Sequence, residues 1–223
     1  MTLKKTIIFI LIVLLIDQIS KIYIKTHFVL HDKTVIFDWF QIVFVENEGM
    51  AWGTKLSDFI SFISDRTAKV SLTVFRIFAV IGIGYWLIKS LYLKSSRLLI
   101  IAVALIFAGA LGNIIDSVFY GILFDSSQSQ VASFLPEQGY DTLFHGKVVD
   151  MLHFPIWSGV LPAWIPFVGG NYFSFFEPVF NVADMAISTG IGILIFFNKR
   201  AFGQSGDKED LIKTETGEHT QNL

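Results

Sequence analysis

The sequence predicts an all-α integral membrane protein of four transmembrane helices, with a small outer β-rich segment and a short interfacial helix. Three observations lead there. Hydrophobic residues are 53% and charged residues 16% of the 223 residues, where ordinary soluble chains carry about 25% charged. Mean hydropathy is +0.60 and 23 Phe stand against 6 Tyr. One soluble core of this size cannot hide that much apolar surface, so lipid is the expected solvent. Four separate stretches reach the about 20 mostly apolar residues that a bilayer crossing needs. The same composition excludes other classes. Disorder requires low hydrophobicity and high charge. Disulfide scaffolds, thiol catalysis and thiolate metal sites require cysteine, and the chain has none. A net charge of −2 gives no electrostatic footprint for nucleic acid.

The first span, about 6–24, is apolar up to Ile16 and then carries Asp17, Gln18 and Lys21. Lys4 and Lys5 followed by an apolar run mimic a signal peptide, but no small-residue cleavage site follows, so the helix is expected to be retained. An outer loop, 25–67, contains Thr34 to Val45 (TVIFDWFQIVFV), partly alternating and rich in β-formers, which reads as one or two short strands. Asp58 to Arg66 (DFISFISDR) puts Phe59, Ile60, Phe62 and Ile63 on one stripe of a short helix. With Trp52 nearby, that stripe suits either the membrane surface or packing against the bundle.

The second span, about 68–88, contains Lys69 and Arg76, and the third, about 98–119, contains Asn113 and Asp116. Gly109 and Gly112 lie in the third, where small residues permit close helix packing. A second outer loop, 120–177, has five aromatic residues between Trp157 and Phe176, side chains suited to the lipid headgroup level. The fourth span, about 178–197, contains Asn181 and places Asp184 about two turns in. Residues 1–200 thus form the transmembrane domain, and 201–223, polar and without periodicity, read as a flexible cytoplasmic tail.

Lys and Arg fix the orientation. Lys4 and Lys5 precede the first span, Lys89, Lys94 and Arg97 crowd the link between the second and third, and Lys199 and Arg200 follow the fourth. With four crossings all three groups share one side, which the positive-inside rule makes cytoplasmic. The two longer loops then face outward.

The informative residues are the polar ones within the apolar spans. A carboxylate at mid-membrane costs about 3 kcal/mol on an insertion scale, so such groups face the protein interior and mark function. Asp17 and Lys21 are four apart on one helix face, the spacing of a local ion pair. Asn113 and Asp116 are three apart, as are Asn181 and Asp184, and each pair shares a face. Interhelical hydrogen bonding is the bland account of one such pair. It is less satisfactory for two pairs together with Asp150, set in the apolar run KVVDMLHF. His27, His31, His145, His153 and His219 form no HExxH, and no GxSxG is present. What remains is carboxylate chemistry. Two Asp in one site cannot both ionise easily, so one holds a proton while the other acts as base, and such a dyad can activate water against an amide.

The order Asp17-Gln18-x-x-Lys21, Asn47-x-Gly49-x-Ala51-Trp52-Gly53, Gly109-Ala110-Leu111-Gly112-Asn113-x-x-Asp116, Val148-Val149-Asp150 and Phe180-Asn181-x-Ala183-Asp184 resembles the bacterial lipoprotein signal peptidases, the type II signal peptidases. The resemblance covers residues 6 to about 200. It implies a multi-pass aspartic endopeptidase of the bacterial inner membrane, with both termini cytoplasmic and its site at the outer face. Such an enzyme cuts a prolipoprotein before the cysteine that carries diacylglycerol. By motif match, Asp150 and Asp184 are the catalytic pair. Asn47, Gly49, Asn113, Asp116 and Asn181 shape the site and hold the substrate backbone, and Asp17 and Lys21 support it. The resemblance implies no metal and no organic cofactor. It implies a monomer working on a lipidated precursor in contact with membrane lipid, inhibited by globomycin-type cyclic peptides.

The chain departs from the family pattern in two ways. The third motif usually ends Asp-Arg, whereas here it ends Asp116-Ser117, and Lys147 or Arg76 is the candidate for the displaced charge. The segments from Tyr120 to Lys147 and from Asp150 to Asp184 are longer than the family's, which reads as loop insertions on the outer face. A small proton-coupled carrier is the alternative, since intramembrane Asp and Asn also mark ion pathways. The absence of inverted repeats argues against it.

Overall fold

The computed structural model describes residues 1–48, 64–175 and 177–203. Gly49, the Ala51-Trp52-Gly53 motif, residues 58–63 of the expected interfacial helix and the tail from 204 lie outside these.

Among the described residues, three helices are long and apolar enough to cross a membrane: α1 (Leu3–His27), α2 (Asp65–Tyr92) and α3 (Arg97–Leu123). Each overruns its expected span at both ends. Hydropathy marks only the apolar middle of a helix, while charged ends remain helical where they complement the helix dipole: Lys25 and His27 lie in the last turn of α1, Lys89 in that of α2 and Asp65 in the first turn of α2. Asp65 and Arg66, expected in the interfacial helix, therefore open α2.

The fourth helix, α4 (Val182–Phe196), differs more from expectation. It has 15 residues, about 22 Å at 1.5 Å per residue, shorter than the about 30 Å of a hydrocarbon core. It does not begin at 178 because Val179–Phe180 is a strand. Asp184 accordingly lies in the first turn of α4, not two turns in. Beyond a turn at Phe197, residues 198–203 are again helical and Ala201 is buried, so the expected tail does not start at 201.

The expected small β-rich segment is an antiparallel sheet that draws in more of the chain than expected, in the order β1-β2-β3-β6: β1 (Lys33–Phe37), β2 (Phe40–Asn47), β3 (Val148–His153) and β6 (Val179–Phe180). The first two strands were legible in the alternation of TVIFDWFQIVFV. The other two lie in what read as an outer loop and a helix. A second hairpin pairs β4 (Trp157–Val160) with β5 (Tyr172–Phe175). The register sets Val45 opposite Asp150, Glu46 opposite Val149 and Asn47 opposite Val148. Between Ile42 and Val45, β2 takes three steps while β3 takes two, from Leu152 to Asp150. The extra residue is a bulge, which bends the strand and re-aims its side chains.

The chain forms two compact units, one of residues 1–16, 75–112 and 183–223 and one of 17–74 and 113–182. In the first, Leu87, Leu99, Ile100, Val103, Ala104 and Ala201 make the core. There α3 and α4 approach closely: a Cβ on Gly109 would meet the Ala183 carbonyl oxygen at 2.3 Å, and one on Gly190 the Ala102 carbonyl oxygen at 2.6 Å. Small residues are what permit such backbone contact. In the second unit, Ile24, Phe44, Tyr120, Phe124, Val149 and Met151 form the core. The segment after Tyr120 is not a loose insertion. Its Phe124 and Ala132 are buried, and β-bridges join Val29 to Val131 and Phe124 to Phe134.

Candidate functional site

The second unit gathers most of the sequence-marked residues into one hydrogen-bonded network that includes Asp150. Asp150 sits mid-β3 and is 3% exposed. Its Oδ2 accepts from Asn47 Nδ2 at 3.2 Å and its Oδ1 from Asn181 Nδ2 at 2.7 Å. Asn47 is delivered by the last residue of β2, and Asn181 by the joint between β6 and α4. Both of these donors are neutral amides, which orient the carboxylate.

From Asn181 the network runs inward. The same Nδ2 donates to Asn113 Oδ1 at 3.2 Å, and that oxygen also accepts from Lys21 Nζ at 2.9 Å. Lys21 reaches Asp17 at 2.9 Å and Asp116 at 2.8 Å, all three side chains being fully buried. An ammonium has three donors, and Asp17, Asp116 and Asn113 supply three acceptors. Gln18 Nε2 donates to Asp17 at 3.1 Å and to Asp116 at 2.9 Å, while its Oε1 accepts from the Tyr120 hydroxyl at 3.2 Å. Asp116 further accepts from the Val149 N–H at 3.4 Å, which ties α3 to the residue beside Asp150. At Gly146 a Cβ would lie 2.0 Å from the Asp116 carbonyl oxygen, so only glycine lets the chain cross α3 there.

The expected site residues are thus brought together in part. Asp17, Lys21, Asn47, Asn113, Asp116, Asn181 and Asp150 form one network. Asp184 is half-buried in the first turn of α4, where a helix N-terminus favours a carboxylate. Gly49 lies outside the described residues. Lys21 contacts Asp116, and Lys147, one candidate for the charge displaced from position 117, lies 3.5 Å from Glu46. Ser117 donates to the Asn113 carbonyl oxygen one turn back, at 2.8 Å, a bond internal to its helix. Ser117→Ala is therefore expected to keep cleavage within about tenfold, or 1.4 kcal/mol of barrier, as read from initial rates. A loss near that of a catalytic carboxylate would give the hydroxyl a direct role.

Sequence reasoning missed Gln18 and Tyr120 as network members, and it missed a second buried cluster altogether. Lys25 is fully buried, pairs with Glu46 and bonds Ser127 Oγ at 2.9 Å. Its ammonium also faces the rings of Tyr140 at 4.8 Å, Phe124 at 5.4 Å and Phe44 at 5.9 Å. The signal was present: Asp17, Lys21 and Lys25 recur every four residues on one helix face. Burial pushes the Glu46 carboxyl up, but Lys25, Lys147 and the Ser127 hydroxyl outweigh it and hold the group below its ordinary value of 4.5. A depressed carboxylate contributes stability above its unfolded-state value that is lost as pH falls through the folded one. Melting temperature in detergent is expected to fall with acid below about pH 4.5 more steeply in the wild type than in Glu46→Gln. Equal slopes would remove Glu46 as a source.

Apolar helices and a polar network converging on one buried aspartate define a multi-pass membrane protein with a carboxylate site. The profile of the family described as Signal peptidase (SPase) II matches residues 9–199. The lipoprotein signal peptidase of Porphyromonas gingivalis is 42% identical over 215 residues, covering 95% of this chain and 90% of its own. That of Amoebophilus asiaticus is 32% identical over 212 residues, covering 93% and 83%. A bacterial membrane enzyme solved by the in meso method at 2.3 Å shares the fold, with a TM-score of 0.56, 24% identity, and coverage of 88% of this chain and 89% of that one. The chain belongs to the signal peptidase II family. It is an aspartic-type signal peptidase of a bacterial membrane.

Proposed function

We propose that the enzyme removes the signal peptide from diacylglyceryl-modified prolipoproteins, cutting before the lipidated cysteine with Asp150 and Asp184 as the catalytic pair. The observation that carries this is Asp150 itself: a buried carboxylate oriented on both oxygens by Asn47 and Asn181 amides and backed by the Lys21 cluster. One carboxylate takes a proton from water as the oxygen attacks the carbonyl carbon. The other donates a proton to the carbonyl oxygen. The tetrahedral intermediate then breaks its C–N bond, and the dyad returns a proton to the departing amine. Asn113 and Asp116 hold Asn181 and β3 in place. Fixed amide dipoles keep the reactive geometry without reorganisation.

In this reading the enzyme lies in the inner membrane with four crossings, α4 included, and with both termini cytoplasmic. Support comes from the three Lys/Arg groups, which share a side only with four crossings. The Leu93→Cys variant, carrying the chain's only thiol, is expected to resist a membrane-impermeant thiol reagent in intact cells and to react in inverted vesicles. Labelling in intact cells would reverse the orientation. The functional test is a gel-shift assay of the purified enzyme in detergent. Cleavage of a diacylglyceryl-modified precursor, monomeric enzyme, and inhibition by a globomycin-type peptide are expected. Equal cleavage of the unlipidated precursor would overturn the substrate assignment.

A further inference from the structure

We infer that the β4–β5 hairpin is a membrane-surface anchor whose tip sits at the boundary of lipid headgroups and acyl chains. Between His153 and Glu177 the chain has no Asp, Glu, Lys or Arg. Yet this segment is outside the protein cores: Trp164 is 80% exposed, Phe167 wholly so, and Val160, Val168 and Tyr172 are exposed as well. A hairpin bathed in water turns a polar face outward, and this one carries no charged residue on either face.

Its backbone is suited to a poorly hydrated place. Leu161 and Gly170 bond across the base of the tip, with Leu161 N–H to Asn171 O and Gly170 N–H to Leu161 O, both at 2.9 Å. Inside it, Ile165 N–H donates to Pro162 O, Gly169 N–H to Ile165 O and Asn171 N–H to Val168 O. Pro162 and Pro166 have no N–H to satisfy. These bonds lower the cost of taking the tip out of water. The turn is also fixed in shape. Gly170 has φ of 79°, and a Cβ on Gly169 would press against three carbonyl oxygens at 2.7–2.8 Å.

Lipid is the occupant the chemistry favours. Protein interfaces rim their apolar centres with polar and charged groups and are enriched in Arg, and this hairpin has no charged rim. Trp and Tyr at its surface are the residues of the membrane interface. The hairpin is also tethered near the bilayer: Phe175 precedes the apolar helix α4 by seven residues, at most about 25 Å of extended chain. Since β4 starts four residues after the strand bearing Asp150, the anchor would fix the depth of that strand. That last consequence rests on the proposed function.

The chain has no cysteine, so Phe167→Cys and Gln128→Cys each give a unique site for a nitroxide label. Gln128 is an exposed polar control on another segment. The full-length protein in phosphatidylcholine liposomes is examined by electron paramagnetic resonance with molecular oxygen and a water-soluble nickel chelate as relaxants. At position 167 oxygen is expected to exceed the chelate in accessibility, and at 128 the reverse. Chelate accessibility at 167 equal to that at 128 would place the tip in water. Low accessibility to both relaxants at 167 would place it against a second copy or another protein. Either result overturns the proposal without bearing on cleavage, and Trp164→Cys repeats the measurement should the first variant fold poorly.

Discussion

Asp150→Asn and Asp184→Asn are each expected to lower turnover of a lipidated precursor by several orders of magnitude, at least about 4 kcal/mol of barrier. Asparagine keeps the size of the side chain but cannot exchange the proton. The double variant is expected to be little worse than either single one, because groups that act as a unit are not additive. The two replacements differ in their structural cost. At position 150 the new amide must meet the Asn47 and Asn181 amides, so at least one donor faces a donor until a side chain flips, at about 1–3 kcal/mol. A melting curve and retained inhibitor binding separate that effect from lost chemistry. Near-normal cleavage by one variant with the other inactive would break the pairing, and the surviving aspartate's partner would have to be another group.

Lys21→Met is expected to destabilise the protein by about 3–5 kcal/mol, the cost of leaving buried carboxylates without their counter-ion. Asp17 and Asp116 would face each other across Gln18, and Asn113 would lose a donor. The measurement is thermal unfolding of the purified protein in detergent. The triple variant Lys21→Met, Asp17→Asn, Asp116→Asn is expected to recover most of the loss, since a buried ion cluster replaced as a whole is often near neutral. A single variant as stable as the wild type would mean that the cluster contributes geometry only.

Long apolar runs were legible because a bilayer crossing needs length and composition and little else. Their ends were not, since Lys25 and Lys89 are polar residues that helices still accommodate. The fourth helix was misplaced for a related reason. In PVFNVADMA the apolar run continues through a strand, a joint and a helix, and periodicity cannot separate residues 179–180 from those after 182. Strand β3 was hidden because VVDMLH is mostly buried. A strand covered on both faces shows no alternation. The motif residues were readable individually. Their wiring was not, because Gln18 and Tyr120 acquire meaning only through partners about 100 residues away. Glu46 is an ordinary polar residue in the sequence and a buried ion partner in the fold.

The central strand has a bearing on how the enzyme is born. Asn47 is opposite Val148, so β2 must wait for 101 further residues before its inner edge is paired. At synthesis rates of about 5–20 residues per second, that interval is roughly 5–20 s. During it the β1–β2 hairpin presents an open edge, the kind of surface that invites foreign strands. Strand β6 closes the other side of β3 later still, and only then does Asn181 arrive to hold Asp150. A nascent chain arrested at any earlier point therefore lacks the Asn181 bond to Asp150, which forms as one of the last events of the chain's own assembly.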